Sequence, residues 1–85
     1  MKKFNYVIKD EIGIHARPAG MLVKEAKKYE SKITVNKDGK SAEARKLMAL
    51  MGLGVKCGDE VEVVVDGADE ELAFGEMKTF FENNL

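Results

Sequence analysis

Along this chain apolar and polar residues alternate in some stretches and cycle at helical spacing in others, and the switches between the two periods mark its elements. Phe4, Tyr6 and Ile8 alternate with Asn5, Val7 and Lys9, the period of two expected of a strand with one buried face. Past residues 10–14 the spacing changes: Ala19, Leu22, Val23, Ala26 and Tyr29 recur at helical intervals and predict a helix over about 16–28. Pro18 is tolerated there because a first-turn N–H has no intrahelical acceptor to lose. Ile33 and Val35 predict a second strand, and Asn36-Lys37-Asp38-Gly39 a hairpin turn whose Asp-Gly pair accepts positive φ, with a short return strand over about 40–43. Leu47, Met48, Leu50 and Met51 form an apolar run of one or two helical turns, stopped by Gly52 and Gly54. Val61, Val63 and Val65, flanked by Glu60, Glu62 and Asp66, make the clearest strand, with Val64 out of pattern. Gly67 ends it, Asp69 is placed to cap, and Asp69-Glu70-Glu71 puts negative charge on the positive end of a helix dipole. That last helix runs to about Asn83, with Ala73, Met77, Phe80 and Phe81 facing the core.

The order βαββαβα places the chain in the α+β class, as a four-stranded antiparallel sheet with its helices on one side and a solvated outer face. A length of 85 residues leaves room for one core, so 1–85 reads as a single domain. With 45% hydrophobic and 34% charged residues, the composition is that of a globular domain and not of a disordered chain. Lys plus Arg number 14 against 15 Asp plus Glu, which removes the basic excess a nucleic-acid or anionic-membrane binder uses. Cys57 is the only cysteine, so an intramolecular disulfide, a CxxC redox pair and a cysteine-based zinc site are all excluded. The opening MKKFNYVIKDE lacks the apolar core of a signal peptide, and no apolar run approaches the roughly 18 residues of a membrane span. A cytoplasmic protein without membrane insertion is expected.

The stretch GIHARPAG, residues 13–20, holds the only histidine and the only proline. His15 is expected at or just before the start of the first helix, where first-turn N–H groups and the dipole favour an anion. Arg17 adds a permanently charged fork suited to phosphate oxygens, and Pro18 stiffens the chain. With no second histidine for acid–base or zinc chemistry, this layout favours a covalent phosphohistidine held by the helix N-terminus at Ala16, Arg17 and Pro18. The same dipole disfavours imidazolium, which predicts a His15 pKa below the ~6.5 of a free side chain. A histidine that merely caps its own backbone is the competing reading from residues alone. The acidic band of Asp59, Glu60, Glu62, Asp66, Asp69, Glu70 and Glu71 splits between a strand face and a helix start, so no metal site and no cofactor is implied.

Gly13-Ile14-His15-Ala16-Arg17-Pro18-Ala19 resembles the active-site signature of the HPr family, histidine-containing phosphocarriers of the bacterial phosphoenolpyruvate-dependent sugar phosphotransferase system. The resemblance spans the chain: Lys37-Asp38-Gly39-Lys40 is similar to the family hairpin, Leu47-Met48 through Leu53-Gly54 to its middle helix, and Gly58-Asp59-Glu60-Val61 with Gly67-Ala68-Asp69-Glu70 to its last strand and final helix start. It implies an open-faced β-sandwich. It also implies that His15 takes phosphate on Nδ1 from phosphorylated enzyme I and passes it to sugar-specific A-type enzyme II components, with Arg17 on the phosphate side. The protein would be a carrier that turns over only with its partners, and a monomer.

Positions matching Gly20, Lys24, Lys27, Leu47, Met48 and Met51 surround the histidine in similar proteins and meet both partners. Lys24 and Lys27 would steer toward acidic rims. A short helix cannot bury every side, so its four apolar residues should divide about evenly, Leu50 and then Leu47 going to the core. Many Gram-positive relatives carry a kinase-regulated serine where this chain has Lys46, and Ala44-Arg45-Lys46-Leu47 offers no hydroxyl. Two neighbouring readings stay open: a regulatory adaptor of the same fold, and a phosphocarrier of a nitrogen-related branch. RNA binding through the sheet would need exposed aromatics, and Val61 to Val65 carry none, so no nucleic-acid partner is expected.

Overall fold

A computed structural model describes residues 1–14 and 16–85. Among the described residues it contains β1 (Lys2–Val7), α1 (Ala16–Ala26), β2 (Lys32–Lys37), β3 (Lys40–Glu43), α2 (Leu47–Gly52), β4 (Glu60–Asp66) and α3 (Glu70–Asn84). The strands form one antiparallel sheet in the order β1-β4-β2-β3. Register turns the alternation into rows. Phe4, Val63, Val35 and Ala42 pair across the four strands and all are buried. The next row, Asn5, Glu62, Asn36 and Ser41, faces outward as a polar ladder: Ser41 donates to Asn36 at 2.7 Å, and Asn36 to Glu62 at 3.2 Å. Val64, out of pattern in the sequence, stands on this outer face between Lys3 and Thr34.

The helices cover the other face and make an open-faced β-sandwich. Ala19, Leu22 and Ala26 of α1, Leu50 of α2, and Ala73, Met77 and Phe81 of α3 join the strand residues in one core. Phe81 is its aromatic centre. It meets Phe4 at 5.8 Å and Tyr6 at 5.6 Å edge to face, an arrangement worth about 0.5–1.5 kcal/mol per pair beyond burial. Asp38 and Gly39 form the two-residue hairpin loop between β2 and β3, with φ of 50° and 81°.

Three expectations are corrected. The first helix ends at Ala26, short of residue 28, because Lys28 N–H turns to the Glu25 carbonyl and Tyr29 N–H to the Ala26 carbonyl, tightening the chain so that Tyr29 drops into the core. Asp69 occupies the N-cap position of α3 without capping it. Its carboxylate instead reaches the turn after α1, where it accepts the Glu30 and Ser31 N–H groups at 2.9 Å each and the Ser31 hydroxyl. Ser31 is fully buried, and an unpaired hydroxyl there would cost more than a helix start that water can satisfy. Phe80, expected in the core, is half-buried beside Phe81 at 6.2 Å.

Candidate functional site

The segment leading to position 15 is held by backbone contacts. Asp10 makes a small turn, its carboxylate accepting the Ile12 N–H at 2.9 Å and its carbonyl the Gly13 N–H at 3.1 Å. Ile14 N–H then donates to the Val55 carbonyl at 3.1 Å. Gly13 takes a φ of +83° and lies so close to the 54–56 loop that a Cβ there would stand 2.7 Å from Lys56 Cα. Only glycine fits this crossing without moving one of the two strands of chain. The loop is itself stitched to the end of β1, with Gly58 N–H donating to the Ile8 carbonyl at 2.8 Å and Ile8 N–H to that of Asp59 at 2.9 Å.

His15 lies outside the described residues, and with it the expectation of a lowered histidine pKa. Helix α1 begins at the next residue, Ala16. Ala16 and Arg17 fall in its first turn, where backbone N–H groups have no intrahelical acceptor, and Pro18 brings no N–H. Arg17 is exposed, and among the described residues its guanidinium has no carboxylate within ion-pair distance. Beside it is a depression of about 420 Å³ lined by Asp10, Ile12, Arg17, Pro18, Met21, Asn83 and Asn84. The arrangement places a cation and first-turn N–H groups together at the start of α1, a combination that favours an anion.

Gly20 and Lys24 on α1, and Lys27 in the turn just past its end, follow at spacings of four and three, and both lysines are exposed. A Cβ at Gly20 would meet nothing within 4 Å, so the helix is open there. On α2, which packs against α1, Leu50 is fully buried while Leu47, Met48 and Met51 are exposed, Met48 at 77%. The even division expected for this run is therefore one to three, with Leu47 outside. The buried stripe continues forward from Leu50 to Leu53 and Val55 instead of back to Leu47. Lys46 sits at the N-cap of α2 and makes no side-chain capping bond, as a lysine cannot.

Sequence reasoning passed over Ile12 and Met21, exposed apolar side chains next to Arg17. Ile12 follows no helical or strand period, so only its position beside the motif could have marked it. Asn83 and Asn84 come from the far end of the chain and carried no signal at all. Among the described residues no helix is long and apolar enough to cross a membrane, and no three His, Cys, Asp or Glu side chains converge as metal ligands.

The comparisons with known proteins agree with this geometry. A family profile described as the PTS HPr component phosphorylation site matches residues 2–83. The phosphocarrier protein HPr of Mycoplasma genitalium is 44% identical over 85 residues, covering 99% of this chain and 97% of the relative. Among solved structures, HPr from Thermoanaerobacter tengcongensis superposes with a TM-score of 0.93 at 39% identity, over 99% of this chain and 94% of that one. A structure of an HPr dimer from the same organism superposes at 0.77 with 40% identity, over 98% and 95% of the two chains. A sheet of this order, a glycine-braced segment running into the first helix, and matches that span nearly the whole of both chains agree on one conclusion: the chain belongs to the HPr family of bacterial phosphotransferase-system phosphocarriers.

Proposed function

We propose that His15 is the phosphoacceptor, taking a phosphoryl group from phosphorylated enzyme I and delivering it to sugar-specific A-type enzyme II components. The observation that carries this reading is the position of the only histidine, one residue ahead of a helix whose first turn presents Arg17 and free N–H donors, within a profile match to a phosphorylation site. The imidazole Nδ1 lone pair attacks phosphorus as the bond from phosphorus to the donor breaks, and the donor keeps that electron pair. Arg17 and the N–H groups of Ala16 and Arg17 balance charge on the phosphoryl oxygens, and the labile P–N bond keeps the group transferable. The second transfer repeats the step with the acceptor as nucleophile. Gly20 and Lys24 on α1 and Lys27 just past its end, with Leu47, Met48 and Met51 on α2, form the docking surface: exposed, adaptable thioethers with lysines that attract acidic rims. In this reading residues 1–85 act as one monomeric, cytoplasmic carrier domain that turns over only with its partners.

The test is to incubate the protein with enzyme I, magnesium and labelled phosphoenolpyruvate. One acid-labile, base-stable label per chain is expected on the wild type and none on His15→Ala. Wild type that stays unlabelled with enzyme I of its own source would end the carrier reading and favour an adaptor.

A further inference from the structure

The structure assigns Lys37, at the end of β2, a positioning role for the phosphoacceptor segment; the inference rests on the phosphocarrier reading above. Lys37 is a strand-end lysine whose side chain is only 16% exposed, because its ammonium turns inward under the loop that follows α2. There Nζ donates to the Gly54 carbonyl at 3.0 Å and pairs with the Asp59 carboxylate at 2.9 Å. The same carboxylate oxygen accepts the Lys56 N–H at 2.9 Å, so one ammonium joins both ends of the 54–59 loop. The ordinary expectation for a surface ion pair is a contribution near zero. This one differs in what it is attached to.

The Gly54 carbonyl and the Val55 N–H belong to one rigid peptide plane, and the Val55 carbonyl is the acceptor for Ile14 N–H at 3.1 Å. Gly13 is pressed against Lys56, and Ile8 is bonded on both sides to residues 58 and 59. Residues 8, 13 and 14 thus rest on the loop that Lys37 clamps, while Lys9 and Asp10 between them donate to the Leu85 carbonyl. Without the ammonium, Asp59 loses its strongest partner and the Gly54 carbonyl its donor. The loop then loosens at its hinge after α2, and Ile14, the residue before His15, loses a fixed acceptor. Lys37 acts through this loop and does not contact the phosphoryl group. A loss of orientation of this kind lowers the rate of the chemical step more than the affinity of the encounter.

The test compares Lys37→Met, which keeps the aliphatic stem but removes charge and donors, with Lys37→Arg and with Lys40→Met on the neighbouring strand. Each is assayed for the rate of phosphorylation by enzyme I as a function of carrier concentration, and for amide hydrogen exchange at Ile14 and at Val63 in the middle of β4. For Lys37→Met we expect kcat to fall about tenfold with KM within about twofold, and Ile14 exchange to accelerate about tenfold while Val63 is unchanged. Lys37→Arg restores most of the rate, and Lys40→Met behaves as wild type. An unchanged kcat, a defect carried by KM alone, or Ile14 exchange that does not move would each overturn the assignment. Should Lys37→Met fail to fold, Asp59→Asn carries the same expectation at about threefold. Labelling of the wild type in the same assay separates the two ideas: unlabelled wild type ends the carrier reading, and labelled wild type with an unaffected variant ends only the role of Lys37.

Discussion

Gly13 and Gly39 offer a matched pair for measuring what the close approach beside the site is worth. Their φ angles are nearly the same, +83° and +81°. A Cβ at Gly39 would meet nothing within 4 Å, whereas at Gly13 it would stand 2.7 Å from Lys56 Cα and against the Val55 carbonyl. Alanine at either position adopts a left-handed conformation at a cost of roughly 1–2 kcal/mol. At either position it also restricts the unfolded chain, which returns about 0.4–1 kcal/mol. These contributions are common to the two variants and cancel in the comparison. What remains is the clash at Gly13, which is with backbone and cannot be relieved by a rotamer change, so an overpacking cost of about 1–3 kcal/mol applies. Urea unfolding at unchanged m should therefore place Gly13→Ala about 1–3 kcal/mol below Gly39→Ala. In a domain of this size each kcal/mol lowers the thermal midpoint by about 4–8 °C. Phosphorylation by enzyme I should slow in Gly13→Ala alone. Two variants of equal stability, within about 0.5 kcal/mol, would mean that the 54–56 loop yields freely, and the argument that it fixes residues 13 and 14 would fail.

Other expectations follow from single contacts. The Ser31 hydroxyl, then the Glu30 N–H, hold the Asp69 carboxyl below its ordinary value of 3.8. A carboxylate lowered on folding contributes stability that is complete above its unfolded pKa and is lost as pH falls through the folded one, so the thermal midpoint of the wild type should drop below about pH 4. Asp69→Asn should show a shallower drop, since Asp59 and Glu70 are also lowered and remain; parallel curves would contradict the assignment. Leu50→Ala, at a fully buried position, should cost about 2–5 kcal/mol in chemical denaturation. Met48→Ala, three-quarters exposed, should stay within about 0.5 kcal/mol of wild type yet raise the KM for the carrier several-fold. An unchanged KM would remove Met48 from the proposed docking surface.

Much of the fold was legible because a strand's period of two and a hairpin's Asp-Gly pair act locally. Once Asp38-Gly39 sets the β2–β3 register, the alternation of Ile33 and Val35 dictates which face is buried, and Val61, Val63 and Val65 can meet it only one way round. What was not legible came from competition between partners distant in sequence. Asp69 has the chemistry of a cap, and nothing near it in the chain announces that the Ser31 hydroxyl, 38 residues away, needs it more. The end of α1 depended in the same way on where Tyr29 could be buried. For α2, six residues are too few for a period to define a face, so the choice between Leu47 and Leu50 fell to contacts with the rest of the core.

At the candidate site the division is sharper. The groups that would touch phosphate are consecutive in the chain, and a run of seven residues suffices to suggest their chemistry. The parts that hold this run are some forty residues away and work mainly through backbone, as in the bond from Ile14 N–H to the Val55 carbonyl, which any side chain at either position would permit. Such contacts leave little trace in residue types except where two backbones touch, and Gly13 is that trace. Lys37 leaves even less, because a lysine at a strand end next to a hairpin ordinarily points into water. Its role became visible only when the hairpin's position brought the ammonium under Gly54 and against Asp59. If the carrier chemistry depends on how firmly residue 14 is held, the residues that tune it should be sought in the 54–59 loop and its anchors. Substitutions there would change transfer rate while leaving both the proposed phosphoacceptor motif and the proposed docking surface intact.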